Sequence, residues 1–461
     1  MTLHLYDTAT RTVRLFEPLV AGKVSMYVCG ATVQGVPHIG HTRSSLVFDV
    51  LARWLIHIGY EVSYVRNVTD IDDKILLKAA AAGRPWWEWA TTHERAFSDA
   101  YDILGCTQPS VEPRATGHIP QMITMIGQLI DRGHAYAAGG DVYFAVRSLS
   151  SYGALSGQRI DEMAQGESVV TAKRDPADFT MWKGAKPGEP SWESPWGPGR
   201  PGWHIECSAM ARTYLGPAFD IHGGGLDLVF PHHENERAQS TGAGDPFANF
   251  WMHHHWVTMA GEKMSKSLGN TESVPAVTAH TRPIALRFYL ISAHYRSPIE
   301  YSHTALADSV TSFNRIDAFL RRVTERVGEI GIGDLPTDFE GAMDDDVHVP
   351  RALAVVHDHV RLGNTALESG DHPAALLHAV AVRSMLAVLG TDPFDPQWAG
   401  AADGGLQVAT GALVKALLAQ RAEARTARDF ATSDRIRDQL AAAGFVVQDS
   451  RDGATWSVAA Q

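Results

Sequence analysis

Cysteine is scarce in this chain: Cys29, Cys106 and Cys207 are the only three among 461 residues. An odd, widely spaced set excludes a disulfide framework and fits a reducing compartment. No CxxC pair is present, so the common zinc-finger and thioredoxin-like patterns are missing. No run of about 18 apolar residues occurs, and no membrane span is expected. Met1 to Asp7 carry no basic stretch followed by an apolar core, so a secretory signal is not expected and a cytoplasmic location is. No GxGxxG follows the strand that feeds the β-α-β unit, and repeats and low-complexity tracts are absent. His233-Glu234 would need a second histidine at position 237 to make a zincin protease, and that residue is Arg237. The net charge of −12 argues against a broadly basic, nucleic-acid-binding surface, but a local basic patch can sit on an acidic protein.

What is present reads as a soluble α/β chain of two to four domains. Lys23 to Val28 has the look of a strand that ends at Cys29-Gly30. A loop with Gly35 and Pro37 follows. A helix then starts near His38 and carries Leu46, Phe48, Val50, Leu51 and Trp54 at helical spacing, and Glu61 to Arg66 is the next strand. In this β-α-β unit the first strand feeds a helix N-terminus, which presents free N–H groups to an anion. Arg114 to Pro201 reads as an insertion with an amphipathic helix around Met122 and Ile126 and short strands near Val142–Val146. The α/β pattern resumes at Phe219–His222, and the chain turns mostly helical after about Arg282. A boundary near 395–405 precedes one amphipathic helix, from about Ala412 to Gln420 and beyond, and a short apolar piece, Phe445-Val446-Val447.

Two segments are suited to a triphosphate. Pro37-His38-Ile39-Gly40-His41 offers two imidazole donors and a glycine that lets backbone approach a nucleotide. Lys263-Met264-Ser265-Lys266-Ser267 offers two mobile cations beside hydroxyls, which suits stabilising charge on a departing phosphate. A third feature has two readings. Cys29, Cys207, His232 and Glu236 form a plausible zinc shell, with His232 and Glu236 four residues apart on one helix face that Pro231 would begin. By spacing alone, with the ligands scattered and no CxxC present, the chain reads more readily as two small buried hydrophobes and an ordinary surface pair.

These segments resemble the two signatures of class I aminoacyl-tRNA synthetases. With Tyr27–Gly30, Asn67–Lys74, Gly202–Ser208 and Gly223–Glu236 added, essentially the whole chain resembles the cysteinyl-tRNA synthetase family. The resemblance implies a Rossmann-like nucleotide-binding catalytic domain split by an insertion and followed by a mostly α-helical C-terminal half. It implies activation of L-cysteine by ATP with magnesium, giving cysteinyl-adenylate, and transfer to the 3′ end of cysteine tRNA. It assigns one zinc per chain to Cys29, Cys207, His232 and Glu236, where the metal receives the substrate thiolate. His38, His41, Lys263 and Lys266 become the phosphate-handling residues. Gly30, Thr32, Thr69, Trp203 and Asp227, with Lys266, line the amino-acid and ATP site. Zinc–sulfur bonding supplies the discrimination against serine that pocket shape alone would not.

The expected segments are 1–113 and 202–260 for the two catalytic halves and 114–201 for the insertion. The signature loop and stem-contact region follow at 261–320, a helical bundle at 321–398 and an anticodon-binding domain at 405–461. A monomer is expected. Two stretches depart from the commoner family pattern: Ala31–Gly35, where a Pro-Thr-Val-Tyr-Asp type is usual, and His253-His254-His255, where a His-Asn-Gly turn is usual. The rival reading is a cysteine ligase of mycothiol biosynthesis, which makes the same adenylate but passes cysteine to an amino-sugar. Arg421, Arg425 and Arg428, at i, i+4 and i+7 with Arg435 beyond, favour tRNA, since such a stripe suits an RNA backbone. Glu423, Asp429, Asp434 and Asp438 among them leave a plain solvated face as the other reading of that stripe.

Overall fold

Met26, Tyr27 and Val28 give the strand Lys23–Val28 an apolar end that is fully buried. Burial on both faces is what a central strand of a parallel sheet requires. The computed structural model, which describes residues 2–162, 172–264, 269–398, 403–450 and 453–458, has this strand inside a four-stranded sheet. The order is Phe247–His254, Ala218–Gly225, Lys23–Val28, Glu61–Arg66, and every pairing is parallel. The chain fills the sheet outward from its middle, first to one flank and then to the other. The order reverses between Lys23–Val28 and Ala218–Gly225, so a cleft opens beyond their carboxyl ends. The expected β-α-β unit is present. Its helix spans Ile39–His57, with His38 as the N-cap residue and Leu46, Phe48, Leu51 and Trp54 buried along it.

Between the second and third strands lies the helix Ile119–Asp131, followed by an antiparallel sheet of Ala135–Ala138, Asp141–Phe144, Phe179–Gly184 and Gly199–Pro201. Phe144, Phe179 and Trp182 belong to one apolar cluster that runs on to Tyr27, Cys29 and Cys207. The inserted sheet therefore packs into the floor of the cleft. It is also tied by charge. Lys183 Nζ lies 2.6 Å from Asp73, at the start of the helix Asp73–Ala81, and Arg200 bonds to the same carboxylate.

The helical part comprises Pro283–Ile291, His303–Val327, Thr337–Asp344, Val349–Ser369 and His372–Leu389. Arg287 locks it to the sheet region. Its guanidinium is fully buried, pairs with Asp49 on the Ile39–His57 helix and donates to the carbonyls of Leu104, Gly105 and Leu389. Burial pushes the Asp49 carboxyl up, but Arg287 and Arg53 outweigh it and bring it down to about 2. Removing one partner of such a pair strands a buried charge. Arg287→Met should lower the unfolding free energy by roughly 3–5 kcal/mol in a denaturant titration. The helix His372–Leu389 is, among the described residues, the one long and apolar enough to cross a membrane by composition. It is not an unbroken apolar run, since it carries His378, Arg383 and Ser384, and half of it is buried in packing.

The chain divides into two compact units, Met1–Pro393 and Phe394–Gln461. The second has its own small core of Val414, Leu418, Ile436 and Leu440, with Phe445 and Trp456 against it. Here the structure corrects the expectation of one helix and an apolar piece. Among the described residues there are two α-helices, Asp403–Thr426 and Phe430–Ala442, and a hairpin of Phe445–Ser450 with Gly453–Val458. Asp429, whose side chain accepts from the Thr432 N–H, is the N-cap signal that separates the helices.

Candidate active site and metal centre

The loop after Lys23–Val28 is threaded tightly against the loop after Glu61–Arg66. A Cβ on Gly30 would sit 1.7 Å from the Asn67 carbonyl oxygen, so only glycine fits. The Gly30 N–H instead donates to Asn67 Oδ1 at 2.9 Å. Thr32 and Thr69 are bridged in parallel, with the Val33 N–H donating to the Thr69 carbonyl at 3.2 Å. These crossings form one wall of a cleft of about 600 Å³, which Cys29, Gly30, Thr32, Trp203, Asp227 and Lys263 help to line.

His38 and His41 stand at the N-terminus of the Ile39–His57 helix, where the dipole and free N–H groups favour an anion. The His38 N–H donates to His41 Nδ1 at 3.2 Å, and the rings lie 3.7 Å apart. Both rings face the cleft. Across it, Lys263 Nζ is 2.8 Å from Asp227 Oδ2 and 4.8 Å above the Trp256 ring, whose Nε1–H donates to Asp227 Oδ1 at 3.0 Å. Burial pushes the Asp227 carboxyl up, yet the Lys263 ammonium and the indole hold it below the ordinary carboxylate range. Lys266, with Ser265 and Ser267, lies outside the described residues.

The floor gathers residues from three places in the chain. Cys29 ends the first strand, Cys207 is on the helix Trp203–Leu215, and His232 and Glu236 flank the start of the helix Glu234–Ala243. Cys29 Sγ is 3.7 Å from Cys207 Sγ and 3.3 Å from Glu236 Oε1, and His232 Nε2 is 3.1 Å from the same oxygen. All four are buried, and their donor atoms lie within 4.8 Å of one another. Pro231 does not begin the α-helix, as its sequence position suggests. It sits in a wider turn, Val229–His233, with Phe230 extended, and the α-helix starts at Glu234.

Whether these residues suit a metal follows from their chemistry. Burial pushes the Cys29 thiol well above its ordinary value and raises that of Cys207, so neither ionises without a cation beside it. Burial likewise pushes His232 far down, which leaves a neutral imidazole able to ligate. Two sulfurs, one imidazole and one carboxylate fit zinc better than magnesium or calcium.

Around this group lies a set of histidines to which the sequence reading gave no part in the metal centre. His204 Nδ1 is 2.9 Å from His232 Nδ1, and His222 Nε2 is 2.9 Å from Glu236 Oε2. His233 Nδ1 is 2.8 Å from His253 Nε2, and His253 reaches Thr8 Oγ1 on its other side at 2.8 Å. His222 and His233 form a second possible metal group with Cys29 and Glu236. Trp203 stacks on His232 at 4.1 Å. The signal for His222 was available: it is in register with Tyr27 and Trp251 in the central strands, where a polar residue needs a buried partner. The His253-His254-His255 departure sends its rings three ways. His253 joins the buried chain, His254 lines the cleft, and the third ring accepts from the Trp256 N–H.

Burial lowers His253 to about 3 and His254 to about 4. Their folded values lie below the unfolded value of about 6.5, so the unfolded chain binds protons first. Their stabilising contribution is whole above about pH 6.5 and shrinks as pH falls toward 4. Urea midpoints should therefore drop between pH 7.5 and pH 5, before most carboxylates titrate, and His254→Asn should flatten that drop.

In the second unit, Arg425, Arg428 and Arg435 are exposed, but Arg421 is buried at 7% exposure. The stripe also does not lie on one helix. Arg428 falls past the end of Asp403–Thr426, in a left-handed turn at φ 57°, and Arg435 is on the next helix.

Residues 15–311 match the family described as tRNA synthetases class I (C) catalytic domain. Residues 338–391 match the DALR domain, and residues 409–456 match the cysteinyl-tRNA ligase anticodon binding domain. Among solved structures, the chain is similar to Mycobacterium tuberculosis methionyl-tRNA synthetase in complex with methionyl-adenylate. That match has 15% identity, covers 83% of this chain and 92% of that one, and has a TM-score of 0.58. It is also similar to the ternary complex of the Agrobacterium radiobacter K84 agnB2 LeuRS with tRNA and LeuAMS, at 12% identity over 83% and 85% of the two chains, with a TM-score of 0.57. At these identities the structures speak for the fold: a Rossmann-like parallel sheet with a helical C-terminal half.

Proposed function

This chain belongs to the cysteinyl-tRNA synthetases of class I, and from that premise we propose that it charges cysteine tRNA through a cysteinyl-adenylate whose substrate thiol is selected at Cys29, Cys207, His232 and Glu236. The observation that carries this reading is the convergence of those four buried donors beneath a cleft rimmed by His38, His41 and Lys263.

In the first step the cysteine carboxylate attacks the α-phosphate of ATP, and pyrophosphate leaves. No protein nucleophile is required. His38, His41, Lys263 and Lys266 stabilise the phosphate charge, and magnesium accompanies the ATP. Asp227 holds Lys263 at the rim, and its carboxylate is available to a ribose hydroxyl or to the substrate ammonium. Gly30, Thr32 and Thr69 shape the wall, and Trp203 keeps His232 in place by stacking. In the second step the terminal ribose hydroxyl of the tRNA attacks the adenylate carbonyl, and AMP leaves. A zinc ion bound at the four donors would supply a soft Lewis acid that prefers a thiolate to a hydroxyl. His222, bonded to the second oxygen of Glu236, orients that carboxylate.

The amino-sugar ligase reading is not favoured, because residues 409–456 match an anticodon-binding domain. In our reading the enzyme works as a cytoplasmic monomer, and Arg425, Arg428 and Arg435 meet the tRNA backbone. In the same reading the signature loop belongs to 261–320 and the anticodon domain to 405–461. Pyrophosphate exchange tests the first step. Cysteine should support exchange and serine should not, and a zinc-selective chelator, with magnesium kept in excess, should abolish the cysteine signal. Equal exchange with serine would remove the thiol-selecting role.

A further inference from the structure

Two cations at the mouth of the cleft have no task in the reaction described above. Lys74 and Lys78 lie one turn apart on the helix Asp73–Ala81, and both line the cleft. Other charges there are engaged: Lys263 with Asp227, and Arg66 with Glu112 and the face of Tyr101. Asp227 is the single carboxylate among the described lining residues. Lys74 and Lys78 make no ion pair among the described residues. This is a local basic patch on a chain of net charge −12.

Lys78 is nevertheless fixed. Its Nζ donates to Gln34 Oε1 at 2.8 Å, and the Gln34 carbonyl accepts from Trp89 Nε1 at 3.2 Å. A neutral amide holds the ammonium without cancelling its charge. Burial and the neighbouring Lys74 both draw Lys78 below the ordinary lysine value. Like charges one turn apart destabilise each other, and an anion between them removes that cost. The helix follows the edge strand Glu61–Arg66, whereas Asp227 and Lys263 follow the strands of the opposite flank. The lysines thus stand apart from the Lys263 side, at an entrance to the same cleft.

We propose that Lys74 and Lys78, with Gln34 positioning Lys78, form a phosphodiester subsite for the single-stranded 3′ end of the tRNA. The inference rests on the charging reaction proposed above. The terminal hydroxyl must reach the adenylate, so the phosphates behind it must cross the rim of the cleft. Two lysines there neutralise them without reading sequence.

The test separates the two half-reactions in the full-length chain. Pyrophosphate exchange needs only cysteine and ATP. Transfer is followed in a single turnover from preformed adenylate to a tRNA transcript at several KCl concentrations. Lys74→Gln with Lys78→Gln should keep exchange within about twofold and slow transfer at subsaturating tRNA by about tenfold, with the salt slope smaller by roughly 1.5. Lys78→Arg should restore most of the transfer. Gln34→Glu, which sets a carboxylate against Lys78, should raise the KM for tRNA while leaving the transfer rate at saturation. A helix that is only structural would not change the salt slope. If exchange falls with transfer and the KM for ATP rises, the phosphates are those of ATP and the proposal is overturned. Unchanged transfer and slope would overturn it as well. Failure of the unmutated protein to activate cysteine would instead overturn the charging reaction itself.

Discussion

Cys207→Ser is expected to strip the protein of its metal and of cysteine activation together. Losing a group that merely orients a ligand typically costs roughly 10–100-fold in metal affinity. Losing the ligand itself should therefore cost about 100-fold or more. The serine hydroxyl is a hard oxygen with a far higher pKa, so it does not replace the sulfur. Elemental analysis of the purified variant should show less than a tenth of the unmutated zinc content, with pyrophosphate exchange reduced in step. Cys106→Ser is the control. Cys106 is buried too, but burial, with the Asp49 carboxylate near it, pushes its thiol up to about 12, and it belongs to neither donor group. That variant should keep its metal. Zinc lost equally from both would mean that unfolding, not ligation, is being read.

Deleting residues from Gly405 onward should divide the two half-reactions. The compact unit Met1–Pro393 contains the cleft and the four donors, so exchange should persist within a few-fold. Charging of tRNA should fall by about 100-fold, as expected when several backbone contacts are lost together. Arg425→Glu, Arg428→Glu and Arg435→Glu combined should approach the deletion. Arg421 is left out of the set because it is buried in its unit, where charge reversal would damage packing. Full charging by both the deletion and the triple variant would remove the second unit from tRNA recognition.

Much of the fold was readable because the relevant signals are local. Lys23–Val28 and Glu61–Arg66 have the spans read from their apolar runs, and the helix between them begins within a residue of its expected start. What was not readable lies in tertiary partnership. Cys29, Cys207, His232 and Glu236 converge because Trp203–Leu215 packs against both Lys23–Val28 and Glu234–Ala243, and no spacing rule encodes that. Spacing alone left the pair of cysteines open to a second reading, and the resemblance resolved it. His222 escaped because a histidine on an apolar strand looks like ordinary core, and His253 was marked as a departure without its bond to His233 being foreseen. The second helix of the C-terminal unit escaped because Ala427-Arg428-Asp429 contains neither glycine nor proline, although Asp429 is a cap. The Arg421 stripe failed as a single exposed face for the same reason: the helix carrying it stops at Thr426.

The central claim is that the cysteine activated in this cleft is destined for tRNA. The most direct measurement supplies radiolabelled cysteine and ATP to the full-length protein and offers it cysteine tRNA and the mycothiol amino-sugar in parallel. The account predicts label in acid-precipitable, base-labile cysteinyl-tRNA and none on the amino-sugar. Label on the amino-sugar with the tRNA left uncharged would contradict it.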